Sequence, residues 1–337
     1  MQAIVCQKPG ALAFEERPEP TRGTGEVLVQ ILRVGICGTD YHIYEGTQPY
    51  LQYPRVMGHE LSAEVIEAPG ASPLKRGQIV VINPYIACGT CVACRNGKPN
   101  CCMRIAVLGV HRDGGMTELL SLPEGNLYPA SGLSIDQAAT VEFLAIGAHG
   151  VRRAGIRQGT KCLVIGAGPI GIGAAIFAQI DGAAITVMDR ESDRVALAES
   201  IIVGAESILA ADRPAEAVAE ATQGDGFDVV IDATGNRMSM ESAFSYVAHG
   251  GSYVLLGLIR EQITFSDPEF HKRETTLLAS RNALASDFEH VTAALASGRV
   301  PLKRLITHRT TLAGAVNDLP RWATKKQGLV KALIEVR

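Results

Sequence analysis

The stretch 161–190, KCLVIGAGPIGIGAAIFAQIDGAAITVMDR, predicts a strand, a glycine-rich turn, a helix and a second strand. An apolar run at 162–165 leads into Gly166, Gly168 and Gly171, and a run at 184–188 ends at Asp189. A strand-turn-helix with this glycine spacing and a following acidic residue is the pattern of a dinucleotide-binding Rossmann fold. The stretch therefore predicts an α/β protein with a doubly wound parallel sheet.

The glycine-rich turn offers the parts needed to hold a dinucleotide. Gly166 permits the tight turn, Gly168 lets the backbone approach a pyrophosphate, and Gly171 lets the helix pack on the strand. Pro169 and Ile170 lie in the first helical turn, whose N–H groups and positive dipole end attract phosphate. These five residues are therefore candidates for cofactor binding.

The acidic residue after the second strand bears on the choice of cofactor. Asp189 would accept hydrogen bonds from the adenosine ribose hydroxyls and would repel a 2′-phosphate, which favours NAD(H) over NADP(H). Arg190 and Arg194 belong to the same candidate site, and they weaken that preference because either could pair with a phosphate. Asp189 also has a structural interpretation, as the N-cap of the next helix.

The chain on either side of this stretch shows two different patterns. Downstream, helical segments alternate with apolar runs that predict further strands of a parallel sheet, at 228–235, 252–258 and 275–281. Upstream, Gly and Pro interrupt alternating strands and predict a β-rich domain, with strands at 26–36, 61–68 and 78–83. Later elements are a helix beginning at Ser134, a helix within 287–300 and a final strand within 328–336 that could return to the first domain.

Length and composition limit the class of protein. The 337 residues suit two domains, the net charge is −3, and no block of like charge suggests attraction to nucleic acid or to a membrane surface. The N-terminus lacks the apolar segment of a signal peptide, and no run approaches the roughly 18–20 apolar residues of a membrane span. We therefore expect a cytoplasmic protein with reduced thiols.

Five of the eight cysteines lie in the stretch 88–102, CGTCVACRNGKPNCC. In the cytosol such a pattern more often binds metal than forms disulfides, and the candidate ligands are Cys88, Cys91, Cys94 and Cys102. Four thiolates complete the tetrahedral shell of Zn²⁺ and leave no position for water, so the predicted site is structural. Iron is an alternative on ligand type alone, and Cys101 leaves the fourth ligand ambiguous. Residues 86–104 contain no aromatic side chain that would favour a nucleic-acid-binding ribbon.

A second set of ligand-type residues lies in short motifs elsewhere. GICGTDYH places Cys37 and His42 after a strand, GHE places His59 and Glu60 before a strand, and VEFLAIGAH places Glu142 at the start of a helix. Thiolate, imidazole and carboxylate are ligands of a catalytic zinc that keeps one position open. Each residue alone could be a buried thiol, a hydrogen-bonded histidine or a helix-start acid, so the prediction depends on their combination.

In that combination the sequence resembles the zinc-dependent medium-chain dehydrogenases, the alcohol and polyol dehydrogenase superfamily. The resemblance covers essentially the whole chain, and its motifs occur in the family's order: GICGTDYH, GHE, the four-cysteine stretch, DGGMTE, VEFLAIGAH and GAGPIG. It implies a GroES-like catalytic domain at 1–145 with a zinc lobe at 86–104, a Rossmann domain at 146–281 and a C-terminal return at 282–337. It also implies a homodimer or homotetramer. One departure from the family pattern is Phe143, where many relatives have proline.

The resemblance also implies a mechanism. Cys37 and His59 would bind a catalytic zinc, with Glu60 and Glu142 as direct, water-mediated or alternating ligands, so that each chain would hold two zinc ions. The implied reaction is zinc-assisted loss of a hydroxyl proton and hydride transfer to NAD⁺. Thr39 and His42 match the family's proton relay, although His42 could also be an ordinary exposed loop residue.

Three segments resemble the sugar-acid branch of the family, which acts on L-galactonate, L-gulonate and L-idonate: QPYLQYPRVMGHE (48–60), VLGVHRDGG (107–115) and ITFSDPEFHKRETTLLASRNA (263–283). They imply oxidation of a secondary hydroxyl of an aldonate to a keto-aldonate. Arg281, His271 and Lys272 are candidates to bind the substrate carboxylate, although Lys272 could simply be a solvated charge. Gly257 and Arg281 complete the candidate cofactor residues. A polyol substrate, L-threonine and a non-catalytic zinc-binding protein are the alternatives.

Overall fold

The computed structural model describes residues 1–49, 51–210, 213–325 and 328–337. Tyr50, within the segment 48–60 of the sugar-acid resemblance, lies outside the described residues. The chain divides into two compact units, of which the first comprises Met1–Glu142, Leu284–Gly298 and Leu302–Arg337, and the second Phe143–Ala283 and Arg299–Pro301. In the described ranges, no helix is both long enough and apolar enough to cross a membrane.

The strands of both units are numbered along the chain. They are β1 (Gln2–Lys8), β2 (Ala11–Glu16), β3 (Glu26–Ile36), β4 (Arg55–Val56), β5 (Glu60–Glu67), β6 (Ile79–Ile82), β7 (Tyr85–Ile86), β8 (Ala106–Val107), β9 (Leu119–Pro123), β10 (Leu127–Pro129), β11 (Lys161–Ile165), β12 (Ala184–Asp189), β13 (Glu206–Leu209), β14 (Phe227–Asp232), β15 (Val247–Leu255), β16 (Thr276–Ala279), β17 (Ile306–Thr311) and β18 (Lys331–Glu335).

The helices are numbered in the same way. They are α1 (Gly38–Glu45), α2 (Val92–Arg95), α3 (Ile135–Ala154), α4 (Pro169–Ile180), α5 (Ser192–Ile201), α6 (Pro214–Thr222), α7 (Arg237–Ser242), α8 (Asp267–Lys272), α9 (Ala285–Ala296), α10 (Leu302–Leu305) and α11 (Ala315–Thr324), and short 3₁₀ turns occur at Pro99–Cys101, Glu124–Asn126 and Ala243–Tyr246.

The first unit is built around a seven-stranded sheet. Its order is β10-β6-β5-β3-β18-β17, with β9 also paired to β3. The inward side chains of the long strand β3, among them Val27, Val29 and Ile31, are fully buried in the core of this unit. The last strand, β18, pairs antiparallel with β3, which confirms the predicted return of the chain to its first domain.

The second unit contains a six-stranded sheet with the order β13-β12-β11-β14-β15-β16, and every pair in it is parallel. In sequence terms this is the order 3-2-1-4-5-6 of a Rossmann fold, with the strand of the glycine motif in the centre. Apolar side chains such as Leu163, Val230 and Tyr253 form its core. The predicted doubly wound sheet is therefore confirmed.

Element ends differ from the sequence prediction where side chains turn the backbone. The strand predicted at 228–235 stops at Asp232, whose carboxylate accepts hydrogen bonds from the amide (2.9 Å) and hydroxyl (2.6 Å) of Thr234 and so begins a turn.

At Ser134 the predicted helix start is confirmed. The Ser134 hydroxyl accepts a hydrogen bond from the Gln137 amide at 3.2 Å, and the Gln137 side chain accepts one from the Ser134 amide at 2.8 Å. This reciprocal capping starts α3.

The first testable prediction concerns the glycines of α4. A Cβ at Gly171 would lie 1.8 Å from the carbonyl oxygen of Gly166, whereas a Cβ at Gly173 would meet nothing nearer than Leu144 at 3.6 Å. We expect Gly171→Ala to lower the free energy of unfolding by about 1–3 kcal/mol, because the turn must move away from the helix. Gly173→Ala should leave it unchanged or raise it by about 0.5–1 kcal/mol. Urea denaturation of both variants checks this, and equal stabilities would contradict it.

Candidate active site

The candidate active site of the first unit lies where three adjacent strands of one sheet have their ends. Strand β3 ends at Ile36, immediately before Cys37, and β5 begins at Glu60, immediately after His59. On the other side of β3, strand β18 begins at Lys331. The pairing of these strands brings together residues that are far apart in the sequence.

Cys37, His59 and Glu60 each present one possible ligand atom, and these atoms all lie within 4.8 Å of one another. Ligands of tetrahedral zinc, at about 2.0–2.3 Å from the ion, lie roughly 3.3–3.8 Å apart. The three side chains therefore fit a zinc ion after a small inward shift, and two of them, His59 and Glu60, are buried. Among the described residues, Glu142 does not belong to this group.

Asp40 ties the two ligand-bearing segments together. Its carboxylate, which is fully buried, accepts hydrogen bonds from the amide of Cys37 at 2.9 Å and from the amide of Gly58 at 3.2 Å. One oxygen also lies 3.9 Å from Nδ1 of His59, which is close enough to orient the ring electrostatically. Gly58 has a φ of +94°, a conformation that favours glycine, so the turn before His59 depends on this residue.

Both candidate carboxylates have partners of their own. The ammonium group of Lys331 donates to the two oxygens of Glu60 at 2.7 and 2.8 Å and to the carbonyl of Ile36 at 3.1 Å. The hydroxyl of Tyr85 donates to Glu142. Space for Glu60 comes from Gly35, where a Cβ would lie 2.1 Å from the carboxylate.

The buried charges of this site are not balanced by the side chains alone. Burial raises the pKa of the Glu142 carboxyl to about 7, and it also raises the pKa of Asp40. Burial opposes protonation of His59, but the charges of Asp40 and Cys37 outweigh it and raise the imidazole pKa. The raised pKa values of the two carboxyls thus reflect burial, whereas the raised pKa of His59 reflects nearby negative charge, which a divalent cation would neutralise.

The two predicted relay residues lie one helical turn apart on α1. Thr39 is partly buried, whereas His42 is exposed. The ring of His42 lies 3.1 Å from the hydroxyl of Thr47 and 3.7 Å from the carboxylate of Glu45. None of the described hydrogen bonds joins Thr39 to His42, so the relay stays a prediction.

The four-cysteine stretch forms a second, separate ligand group in the same unit. The sulfur atoms of Cys88, Cys91, Cys94 and Cys102 all lie within 4.8 Å of one another, with 3.5 Å between Cys91 and Cys94 and 3.9 Å between Cys91 and Cys102. Sulfur ligands of a tetrahedral zinc at about 2.3 Å lie roughly 3.8 Å apart, so the group fits this ion. Cys101 is exposed and is not in the group.

Backbone and side-chain donors surround these sulfurs. The amides of Cys88 and Arg104 lie 3.2 and 3.4 Å from the sulfur of Cys102, and the guanidinium of Arg104 lies 3.4 Å from the sulfur of Cys88. Backbone hydrogen bonds, first from Thr90, lower the pKa of the Cys88 thiol to about 5. Backbone hydrogen bonds also lower the pKa of Cys91, whereas burial raises the pKa of Cys94 to about 12, so the amide donors favour the thiolate at Cys88 and Cys91.

The candidate cofactor site of the second unit is formed by the glycine turn and Asp189. Gly166 has a φ of +96°, and Gly168 is the N-cap of α4, with Pro169 in its first turn. One oxygen of Asp189 accepts from the Ala167 amide at 2.7 Å, and the other accepts from the Glu191 amide at 3.0 Å. The carboxylate therefore fixes the turn that would approach the phosphates.

The remaining candidates of this unit fall into two places. A Cβ at Gly168 would lie 3.6 Å from the Arg194 guanidinium, so Arg194 lies beside the glycine turn. A Cβ at Gly257 would lie 2.5 Å from the Gly235 amide, so the backbones of these two glycines are closely packed. Arg190 and Arg281 are exposed, and Arg281 follows the carboxyl end of β16.

His271 and Lys272 are exposed in α8, before the amino end of β16, and Lys272 lies 3.8 Å from Glu269. The structure therefore does not bring His271 and Lys272 together with Arg281, because the length of β16 separates them.

Sequence reasoning missed three residues of the first unit's site. Lys331 carries a signal, since it is the one charged residue in the otherwise apolar run GLVKALI (328–334). Asp40 lies within the motif GICGTDYH but was not assigned a role. Tyr85 carries no signal in the sequence, because its importance depends on its contact with Glu142.

Comparison with known proteins matches residues 23–132 to the Alcohol dehydrogenase GroES-like domain and residues 169–297 to the Zinc-binding dehydrogenase family. The chain is 42% identical to the L-galactonate-5-dehydrogenase of Escherichia coli K12, over 99% of this chain and 98% of that one. Among solved structures, an alcohol dehydrogenase (rspB) of Escherichia coli CFT073 complexed with NADH has a TM-score of 0.93 at 28% identity, covering 100% and 99% of the two chains. The L-idonate 5-dehydrogenase of Escherichia coli has a TM-score of 0.90 at 27% identity, covering 99% and 98%.

The second testable prediction concerns the cysteine lobe. We expect Cys91→Ser to remove about one zinc ion per chain and to lower Tm by roughly 5–10 °C, because the lobe loses the ion that holds its loops. The matched control is Cys101→Ser. Cys101 is adjacent to Cys102 but is exposed and outside the ligand group, so this variant should keep both its zinc content and its Tm. Elemental analysis with thermal unfolding checks this, and a Cys91→Ser protein that retains its zinc and its Tm would contradict the assignment.

Proposed function

The chain belongs to the zinc-dependent medium-chain dehydrogenases, and we propose that it oxidises a secondary hydroxyl of an aldonate to a keto-aldonate, with NAD⁺ as hydride acceptor. Zinc and a nicotinamide cofactor follow from the family. The observation that carries the substrate class is the full-length similarity to an L-galactonate-5-dehydrogenase. The fold similarity to an L-idonate 5-dehydrogenase supports it.

We propose two zinc ions per chain, one at Cys37, His59 and a carboxylate, and one at the cysteine lobe. When bound at the first site, zinc supplies Lewis acidity that makes the substrate hydroxyl easier to deprotonate. Asp40 orients His59 through the contacts described above. We propose that His42, whose ring is exposed, passes the proton to solvent.

We propose that NAD(H) is preferred over NADP(H). Asp189 is held in place by two backbone amides, so its charge stays at the end of β12. A negative charge there repels a 2′-phosphate and can accept hydrogen bonds from free ribose hydroxyls. Arg190 and Arg194 weaken this preference, because either could pair with a 2′-phosphate, but the negative charge of Asp189 would still repel that phosphate.

We assign the substrate carboxylate to Arg281. Parallel α/β sheets bind their ligands beyond the carboxyl ends of the strands, and Arg281 follows that end of β16. This position supports Arg281 over His271 and Lys272, which precede the opposite end. A cytoplasmic location and a homodimer or homotetramer remain predictions from the sequence.

The third testable prediction concerns the substrate. NADH formation at 340 nm is measured with L-galactonate, L-gulonate, L-idonate, D-sorbitol, galactitol and L-threonine. We expect turnover of at least one aldonate, with kcat/KM well above the values for the polyols, because the polyols offer no carboxylate to Arg281. L-threonine also carries a carboxylate, but next to an ammonium group that the cation of Arg281 would repel, so we expect a low kcat/KM for it as well. Turnover of polyols or L-threonine without any aldonate would overturn the substrate proposal and leave the family assignment intact.

The fourth testable prediction concerns cofactor choice. Asp189→Asn keeps one oxygen as an acceptor but removes the charge, so we expect the NADP⁺/NAD⁺ ratio of kcat/KM to rise by roughly tenfold, about 1.4 kcal/mol. Asp193→Asn removes an exposed carboxylate four residues later and should leave the ratio unchanged. Steady-state kinetics with both cofactors checks this. An equal ratio in the wild-type chain and Asp189→Asn would show that the carboxylate does not select the cofactor.

A further inference from the structure

The carboxylate of Glu60 has two possible partners in the first unit. Lys331 donates to both of its oxygens, at 2.7 and 2.8 Å, and the two side chains are 1% and 0% exposed. The same carboxylate lies within 4.8 Å of the ligand atoms of Cys37 and His59. A buried carboxylate requires a cation, and here an ammonium group and a bound metal would share one carboxylate.

The second carboxylate is held differently. Glu142 accepts a hydrogen bond from the neutral hydroxyl of Tyr85, which contributes no positive charge. Lys331 also donates to the carbonyl of Ile36, the residue before Cys37, so its position is fixed by the backbone beside the ligand. Of the two carboxylates, it is therefore Glu60 that Lys331 binds directly and for which it would compete with a metal.

We propose that Lys331 is a positioning residue that makes the catalytic metal exchangeable, by competing with it for the carboxylate of Glu60. The inference rests on the proposed metal site at Cys37 and His59. Lys331 neutralises Glu60 when no metal is bound, which stabilises the metal-free site. When a metal is bound, the ammonium group draws the Glu60 carboxylate away from it, which weakens the metal's hold.

The fifth testable prediction is that Lys331→Met, which keeps the length of the side chain but removes its charge, slows loss of the catalytic zinc. The measurement is the rate at which zinc passes from the loaded protein to a chromogenic chelator. The kinetic phase that belongs to the catalytic zinc is identified as the one that is absent in Cys37→Ser. We expect that phase to slow by roughly tenfold, since partners of metal ligands alter affinity by about 10–100-fold. The Tm of the metal-free protein should fall by more than the Tm of the zinc-loaded protein.

Two further variants separate this role from a purely structural one. In a Glu60→Gln background, Lys331→Met should have no further effect on the rate, because the carboxylate through which it acts is gone. Arg33→Met breaks a different ion pair of the first unit, with 3.1 Å between Arg33 and Asp136, and should leave zinc loss unchanged. If Lys331→Met does not fold, Lys331→Gln serves in its place with the same expected slowing.

The outcomes distinguish the inference from the proposed function. Absence of any chelator phase that depends on Cys37 would overturn the proposed metal site itself. A Cys37-dependent phase whose rate Lys331→Met leaves unchanged or accelerates would overturn only the role of Lys331. Equal falls in the Tm of the metal-free and zinc-loaded proteins would likewise contradict it, because they would indicate a structural role alone.

Discussion

The buried ion pair between Lys331 and Glu60 constrains the first unit more than any other single contact described above. Burying two charges costs free energy, which only a well-aligned pair with further hydrogen bonds offsets. Here the ammonium group donates to both carboxylate oxygens and to a backbone carbonyl. The pair can form only if β18, from the end of the chain, lies beside β3 and near β5. The order β5-β3-β18 and the proposed competition between Lys331 and a metal for Glu60 both depend on that arrangement.

The chemistry is divided between the two units in a way that follows from their local structure. In the first unit, strand ends and the carboxylate of Asp40 hold a thiol, an imidazole and a carboxylate together. In the second unit, a turn of glycines and the carboxylate of Asp189 present backbone amides at the start of α4. In each site an acid thus accepts hydrogen bonds from two backbone amides, the fully buried Asp40 in the first unit and the half-buried Asp189 in the second.

Much of this could be predicted from the sequence, and the rest depends on contacts between distant segments. The Rossmann sheet, the capped start of α3 and the ligand groups around Cys37 and Cys88 follow from local motifs, because spacing and turn residues determine them. The choice of Cys102 over Cys101 needed the fold of the lobe. Tyr85 and Lys331 matter through partners 57 and 271 residues away, and no local pattern encodes such contacts. Proximity in sequence suggested one group of cations, His271, Lys272 and Arg281. Strand β16 separates the first two from Arg281.

We propose that the first unit contains two separate zinc sites, a closed one of four thiolates and an open one at Cys37 and His59. The most direct test is the zinc content of the purified wild-type chain, measured by elemental analysis beside Cys37→Ser. We expect two zinc ions per chain in the wild type and one in Cys37→Ser. One ion in both proteins would contradict it, because the group at Cys37, His59 and Glu60 would then hold no metal.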